Sequence, residues 1–237
     1  MKQRIWELDA LRGLCVLGMV VVHFVYDLVE LYGLVQWQYP ALFTFIKDWG
    51  GVLFLLISGI CATLGSRGVK RGLVVFGCGM VCTAVTYGMA VLGFSDKSIT
   101  IYFGVLHCLG VCMLLWPLFR KMPTWLLAVT GAAVVICGLC VRAFVRVSFP
   151  WLIPLGFIYP GFATSDYFPL LPHLGFFLLG AVLGRTLYKN KRTLLPKLNA
   201  DAAAFRFLRL CGKHSLWIYL LHQPALSLLF TLITALH

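Results

Sequence analysis

Residues Leu8 to Glu30, LDALRGLCVLGMVVVHFVYDLVE, have the length and composition of a membrane-spanning helix. This stretch begins with charged residues, continues as an apolar run, and then carries the ionisable residues His23, Asp27 and Glu30. At about 1.5 Å per helical residue, His23 lies roughly 16 Å beyond Arg12, near the middle of a bilayer. Spacings of four and seven residues place His23, Asp27 and Glu30 on one helical face. This face must contact protein or water, because ionisable groups are costly against lipid.

The composition of the whole chain is that of an integral membrane protein. Hydrophobic residues make up 61% of it, charged residues only 12%, and the mean hydropathy is +0.92. We therefore predict an all-α, polytopic transmembrane helix bundle that forms a single domain over residues 1–237. Seven apolar spans are expected, at 11–33, 50–66, 72–94, 99–119, 124–144, 173–188 and 213–235.

The basic residues predict the orientation of the chain in the membrane. With seven spans, all but four of the 20 Lys and Arg fall on the side of the N-terminus; the four are Lys47, Lys97, Arg142 and Arg146. The positive-inside rule then places the N-terminus in the cytoplasm and the C-terminus outside, in a plasma (inner) membrane. This distribution also argues against a nucleic-acid partner, although the net charge is +12.

Two apolar segments outside these spans leave the number of membrane spans open. Residues 147–159 are interrupted by Pro150 and Pro154, and residues 39–46 precede the second span. We expect both to be interfacial or re-entrant segments on the outer side. A further span at 147–159 would reverse the position of the C-terminus.

Three histidines lie at similar depth and are the candidate reacting groups. They are His23, His107 and His222, the last two each about 13 Å from a membrane interface at 1.5 Å per residue. We expect them to share a polar cavity, in which His23, oriented by Asp27, acts as a general base. The alternative is structural, because a His–Asp pair can simply hold helices together by a hydrogen bond.

Metal binding is not expected from this sequence. Nothing in the spacing of the three histidines indicates that they converge on an ion. Most of the nine cysteines lie inside apolar runs, where small thiols at helix contacts explain them better than disulfides or metal ligation.

The two ends of the predicted bundle offer different partners. On the cytoplasmic side, Arg12, Arg67, Arg71 and Lys213 are candidates for binding the phosphates of an anionic donor such as an acyl-CoA. On the outer side, Asp166, Tyr167 and His173 are candidates for binding an acceptor. This arrangement predicts acyl transfer across the membrane, from a donor on the cytoplasmic side, past the histidines, to an acceptor on the outer side.

Four motifs carry a resemblance to a known family. The chain resembles the bacterial DUF1624 proteins, which are grouped with the heparan-α-glucosaminide N-acetyltransferase catalytic domain, over nearly its whole length. The motifs are RIWELDALRG at 4–13 with His23, GVLH at 104–107, DYFPLLP at 166–172 and GKHSLWIYLLHQP at 212–224.

A second, more distant resemblance concerns the first two spans. Arg12-Gly13 with His23, followed by FLLISG at 54–59, is similar to the membrane acyltransferase-3 family. There the first-helix histidine is the presumed catalytic residue. Both resemblances imply transfer of an acetyl or short acyl group from cytosolic acetyl-CoA or another acyl-CoA to a sugar, aminosugar or related acceptor.

Two other functions stay open at this point. Midplane histidines also suit a small proton-coupled transporter or permease, and a non-catalytic membrane scaffold needs no reacting groups. The sequence leaves the acceptor, the acyl chain and the choice between direct and covalent transfer undecided. Because the chain is short for either family, a homo-oligomer is a further expectation.

Overall fold

A computed structural model describes residues 5–94 and 96–236, with the side chain of Lys97 excepted. In this part of the chain the protein is all-helical, without β-strands, as predicted. Lys2 and Arg4, which the charge pattern includes, lie outside the described residues. The α-helices are α1 (Trp6–Tyr26), α2 (Ala41–Leu64), α3 (Gly68–Val91), α4 (Val105–Phe119), α5 (Thr124–Phe144), α6 (Leu170–Leu187), α7 (Ala203–Lys213) and α8 (Ser215–Ala235).

Six of the described helices are long and apolar enough to cross a membrane: α1 with its continuation to Leu31, α2, α3, α5, α6 and α8. The protein is therefore a multi-pass membrane protein. The fourth predicted span differs from the expectation, because α4 has only 15 residues and begins at Val105 rather than at 99. Gly104 precedes α4 in an extended conformation, and an Asp166 carboxylate oxygen accepts the backbone N–H of Val105 at 3.0 Å. The extended Gly104 and this hydrogen bond together set the start of the helix.

The two segments that we expected to be interfacial or re-entrant have different structures. Most of 39–46 is helical, because α2 begins at Ala41 and continues to Leu64. Pro40 precedes the first turn, where its missing N–H costs nothing, and its carbonyl accepts the Thr44 N–H at 3.1 Å. Residues 147–159, by contrast, contain only a 3₁₀ turn at Ile153–Leu155 and form no further span.

The chain divides into two compact units. The first comprises Met1–Phe54 and Lys191–His237, of which 5–54 and 191–236 are described, and the second comprises Leu55–Asn190. That the two form a single domain stays a prediction. The histidines at 23 and 222 belong to the first unit, and His107 belongs to the second.

In the first unit, α1 lies parallel to α7 and then to α8. Gly13 of α1 meets Gly212 near the end of α7, and further along Tyr32 stacks on Phe230 of α8 with ring centroids 5.1 Å apart. Both glycines are required by this close approach. A Cβ on Gly13 would overlap the carbonyl group of Leu208, and one on Gly212 would overlap the backbone of α1. Small residues of this kind allow two helices to approach closely in a membrane.

In the second unit, α3 to α6 pack as two antiparallel pairs, and the last part of α2 lies against α6, where Gly59 meets Phe177. The α3–α4 pair meets where Gly110 lies against Phe76, and the α5–α6 pair meets where Gly138 lies against Pro172. α4 runs parallel to α6, and Trp116 of α4 packs on Phe177 of α6 at 6.3 Å between centroids. Within each unit these directions agree with the alternation of the predicted spans. The cytoplasmic position of the N-terminus stays a prediction.

We expect Gly13→Ala to destabilise the first unit by about 1–3 kcal/mol, because its methyl group must push α7 away from α1. The control is Gly18→Ala on the same helix, where an added Cβ meets nothing within 4 Å. This control should be neutral or stabilise by up to about 1 kcal/mol through helix propensity. Thermal unfolding of the purified variants in detergent measures the difference. Equal unfolding temperatures for the two variants would contradict the close α1–α7 contact.

Candidate functional site

Two imidazole rings face each other between α1 and α8. The rings of His23 and His222 lie edge to face, with centroids 4.8 Å apart and an interplanar angle of 77°. His23 Nδ1 lies 2.9 Å from the Met19 carbonyl oxygen, and His222 Nδ1 lies 2.6 Å from that of Tyr219. Because a carbonyl oxygen only accepts hydrogen bonds, both Nδ1 atoms carry hydrogen. In the neutral rings the lone pairs therefore reside on the two Nε2 atoms.

Two buried acceptor atoms at this place lack a hydrogen-bond donor. They are His222 Nε2 and Gln223 Oε1, and no donor from the described residues reaches either. Buried polar atoms without a partner are rare in native proteins, and each costs about 1–3 kcal/mol when left unsatisfied. The two atoms are therefore candidates for hydrogen bonds from a bound group or a water molecule.

Asp27 is held by Gln223 rather than by His23. Asp27 is only 1% exposed, and its two carboxylate oxygens accept hydrogen bonds from Gln223 Nε2 at 2.9 and 3.2 Å. No hydrogen bond joins His23 to Asp27 in the described residues. The predicted pairing of these two side chains is thus replaced, because α8 supplies an amide donor to Asp27 while the Met19 carbonyl occupies His23 Nδ1.

The backbone of both helices is unusual at this level. At Asp27 the first helix widens into a π-helical turn that ends at Leu31. Such turns are rare in helices and occur frequently at functional sites. On the opposite helix, Pro224 follows Gln223 inside α8 and removes one backbone N–H from the helix ladder. The two irregular segments carry Asp27 and Gln223.

His107 has a different environment in the second unit. Its Nδ1 accepts the backbone N–H of Gly104 at 3.2 Å, so its hydrogen resides on Nε2. Nε2 lies 3.2 Å from Thr83 Oγ1, whose own hydroxyl donates to the Ile101 carbonyl at 2.6 Å. With both ring nitrogens engaged and only 2% of the residue exposed, His107 links α3 to the start of α4. A catalytic role for it stays a prediction.

The three predicted acceptor-binding residues also lie in the second unit. Asp166 caps α4 through the backbone N–H of Val105, as described above. The Tyr167 hydroxyl donates to the Ile153 carbonyl at 2.8 Å, and burial raises the pKa of this hydroxyl to about 12. His173 Nδ1 donates to the carbonyl four residues earlier at 2.7 Å. Each side chain thus has a structural contact, and substrate binding by them stays a prediction.

Among the predicted donor-binding residues, Arg67 borders a cavity of about 280 Å³ in the second unit. The cavity lies at the turn between α2 and α3, and Lys70, Trp116 and Arg120 also line it. Neither Arg67, Lys70 nor Arg120 has a carboxylate partner among the described residues. The cavity is therefore strongly positive. Arg71 lies exposed next to it at the start of α3.

The other two candidates for donor binding belong to the first unit. Arg12 pairs with Asp9 at 3.2 Å, and its guanidinium reaches the Gly212 carbonyl at 3.5 Å. Lys213 ends α7 and is exposed. The Arg12 guanidinium thus stabilises the contact between α1 and α7, whereas the Lys213 side chain is exposed.

No group of three or more His, Cys, Asp or Glu side chains in the described residues is arranged to hold a metal ion. The cysteines are all free thiols. Those at 108 and 112 are buried on one face of α4, with their sulfur atoms 4.0 Å apart.

The fold and this polar centre define a multi-pass membrane protein with titratable groups inside its helix bundle. The family model described as heparan-alpha-glucosaminide N-acetyltransferase, catalytic, matches residues 4–224. The chain therefore belongs to this family, as the motifs predicted. No curated protein and no solved structure matches the chain.

Sequence reasoning missed Gln223 and Trp116 as residues of candidate sites. Gln223 lies directly after His222 in the motif HQP at 222–224, and this adjacency was the available signal. Trp116 sits in an apolar run that gives no sign of a cavity. Both become visible only when helices distant in the sequence are brought together.

We expect Thr83→Val to destabilise the second unit by about 1–3 kcal/mol, because it leaves the buried His107 Nε2–H without an acceptor. The matched control is Thr186→Val, whose exposed hydroxyl bonds only to carbonyls of its own helix. Thermal unfolding of both variants in detergent measures the effect. If the two variants unfold at the same temperature, the Thr83–His107 hydrogen bond contributes nothing.

Proposed function

We propose that the protein is a membrane acetyltransferase that uses the His23–His222 pair as its general base. Acetyl-CoA is the proposed donor, and a sugar or aminosugar is the proposed acceptor. Membership of the N-acetyltransferase family supports the reaction class and favours it over a proton-coupled transporter. The observation that carries the assignment of the base is the buried, unpartnered lone pair on His222 Nε2 beside a second imidazole.

The proposed reaction is a direct transfer. His222 Nε2 takes the proton of an acceptor N–H or O–H as the acceptor attacks the thioester carbonyl carbon. A new C–N or C–O bond forms, the C–S bond breaks, and the leaving thiolate takes the proton back from the imidazolium. Products are the acetylated acceptor and the free thiol of CoA. A covalent acetyl-histidine intermediate is the alternative route to the same products.

His23 supports the base as its neighbour in the pair. With ring centroids 4.8 Å apart, two positively charged imidazoles would repel each other, so we propose that only one ring of the pair takes a proton during the reaction. Asp27 is buried on the same helix and contributes negative charge near the imidazolium that forms. Asp27 thereby acts through electrostatics and through Gln223, not by direct contact with His23.

The positive cavity at the α2–α3 turn is the proposed donor site. Arg67, Lys70 and Arg120 suit the phosphates of CoA, because charge-assisted hydrogen bonds to phosphate are among the stronger polar contacts. The free backbone N–H groups at the start of α3, near Gly68, favour an anion at the same place. Arg12, Arg71 and Lys213 remain proposed as further donor contacts.

A groove in the first unit supports a carbohydrate acceptor. It measures about 650 Å³ and follows the π-helical turn, with Gln36, Trp37 and Gln38 among its lining residues. Trp37 is 44% exposed and offers a flat apolar face, and the two amides offer hydrogen bonds to hydroxyl groups. Asp166, Tyr167 and His173 remain the alternative acceptor site.

The proposed setting is a plasma (inner) membrane with the N-terminus in the cytoplasm and the C-terminus outside. The basic residues support this orientation, as argued from the sequence. The proposed partners are the lipid bilayer, the acyl-CoA donor and the acceptor, with a homo-oligomer as a further expectation.

We expect His222→Ala to lower the rate of acetyl transfer by about 10²–10⁴-fold, the usual contribution of a positioned base. The assay uses purified protein in proteoliposomes, radiolabelled acetyl-CoA and a panel of aminosugars and sugars. His214→Ala is the control, because His214 is exposed and precedes the same helix. Unchanged turnover in His222→Ala would remove this residue from the mechanism.

We expect the double substitution Arg67→Gln, Lys70→Gln to raise the KM for acetyl-CoA about 10–100-fold. This corresponds to the loss of hydrogen bonds to a charged group, each worth about 1.5–3 kcal/mol. The KM for the acceptor should not change. Lys121→Gln, which removes an exposed charge outside the cavity, is the control. An equal rise in both variants would mean that only general surface charge attracts the donor.

A further inference from the structure

The orientation of the Gln223 amide is fixed by its partner. Its Nε2 donates to both carboxylate oxygens of Asp27, at 2.9 and 3.2 Å. The reversed amide would place Oε1 against the same carboxylate, where two acceptors would repel each other. Asp27 is 1% exposed, so water does not compete for this contact. The amide oxygen of Gln223 is therefore directed away from Asp27 by the buried charge.

This orientation presents two acceptor atoms from neighbouring residues of α8. Gln223 Oε1 and His222 Nε2 are both fully buried, and neither has a donor among the described residues. Both side chains face α1, since Gln223 contacts Asp27 and His222 contacts His23. A single group that satisfied both atoms would need two hydrogens. A primary amine has two, whereas a sugar hydroxyl has one.

We propose that Gln223 is the specificity-determining residue of the acceptor site, selecting a primary amine over a hydroxyl, and that Asp27 sets its orientation. This inference rests on the proposed acetyl transfer. The family name already implies an amine acceptor, and the inference adds the residues that select it. One N–H of the neutral amine donates to Gln223 Oε1 and is kept in the amide product. The other donates to His222 Nε2 and is the proton that the base removes.

The energetic basis of the selection is the unpaired acceptor. When a hydroxyl donates to His222, Gln223 Oε1 stays buried without a donor, and a site built for two hydrogen bonds rejects the analogue that supplies only one. A resident water molecule also has two O–H groups and would satisfy both atoms. The experiment therefore has to separate an acceptor from such a water.

The test compares glucosamine with glucose, which differ by an amine against a hydroxyl at one carbon. We expect the wild-type kcat/KM to favour glucosamine. In Gln223→Leu the kcat/KM for glucosamine should fall about 10–100-fold, and the preference for glucosamine over glucose should shrink with it. The KM for acetyl-CoA should stay within about twofold. Asn190→Leu is the control, because it replaces an exposed amide beyond the end of α6 that lines neither proposed site.

Asp27→Asn is the second variant, because it keeps the volume of the side chain and removes the charge. An asparagine amide can pair with either orientation of Gln223, so Oε1 is no longer directed toward the acceptor. We expect a partial loss of the preference for the amine in this variant, with the protein still folded as judged by its thermal unfolding.

Acceptor binding in the absence of acetyl-CoA separates this inference from the proposed function. Isothermal titration of the wild-type protein in detergent should show tighter binding of glucosamine than of glucose, and Gln223→Leu should abolish the difference. A wild-type protein that binds the amine selectively but transfers no acetyl group would refute the transferase and keep the inference. If Gln223→Leu keeps the same preference for glucosamine in binding and in kcat/KM, the inference is overturned. The two acceptor atoms would then be partnered by a resident water molecule only.

Discussion

The contact between Gly13 and Gly212 is the constraint on which the first unit depends. Neither position has space for a Cβ, because the backbones of α1 and α7 touch there. Helices in lipid gain little from hydrophobic association, so close backbone packing is a main source of their attraction. The contact also sets the register of α8, which begins two residues after α7 ends. The pairing of His23 with His222 follows from that register.

The polar centre is acceptable in a membrane only because this packing encloses it. A carboxylate at the centre of a bilayer costs at least about 2.5–3.5 kcal/mol, and Asp27 lowers that cost by accepting the Gln223 amide. The same hydrogen bonds orient the amide and leave its oxygen buried without a donor among the described residues. Structure and proposed chemistry therefore share one set of contacts. In the second unit His107 has both ring nitrogens engaged, and its contacts are those of a residue that joins two helices.

The sequence predicted the helical class, most of the membrane-crossing helices and the family, because hydropathy and motifs are local properties. It also predicted a midplane imidazole partner for His23, although it grouped His107 with His222, and the structure assigns these two to different units. The observed starts of α2 and α4 differ from the predicted ones, because they depend on Pro40 and Gly104 rather than on hydropathy. The partner of Asp27 could not be predicted, because Gln223 lies nearly two hundred residues away and one sequence does not show which helices pair.

A double-mutant cycle on the two imidazoles measures whether His23 and His222 act as one base. The kcat/KM for acetyl transfer is measured for the wild type, His23→Ala, His222→Ala and the double variant, each with its thermal unfolding. If the rings act as one proton-accepting pair, the double variant loses no more activity than the more damaged single variant. If the logarithms of the two single losses add, the histidines act independently, and the account of a coupled base between α1 and α8 is contradicted.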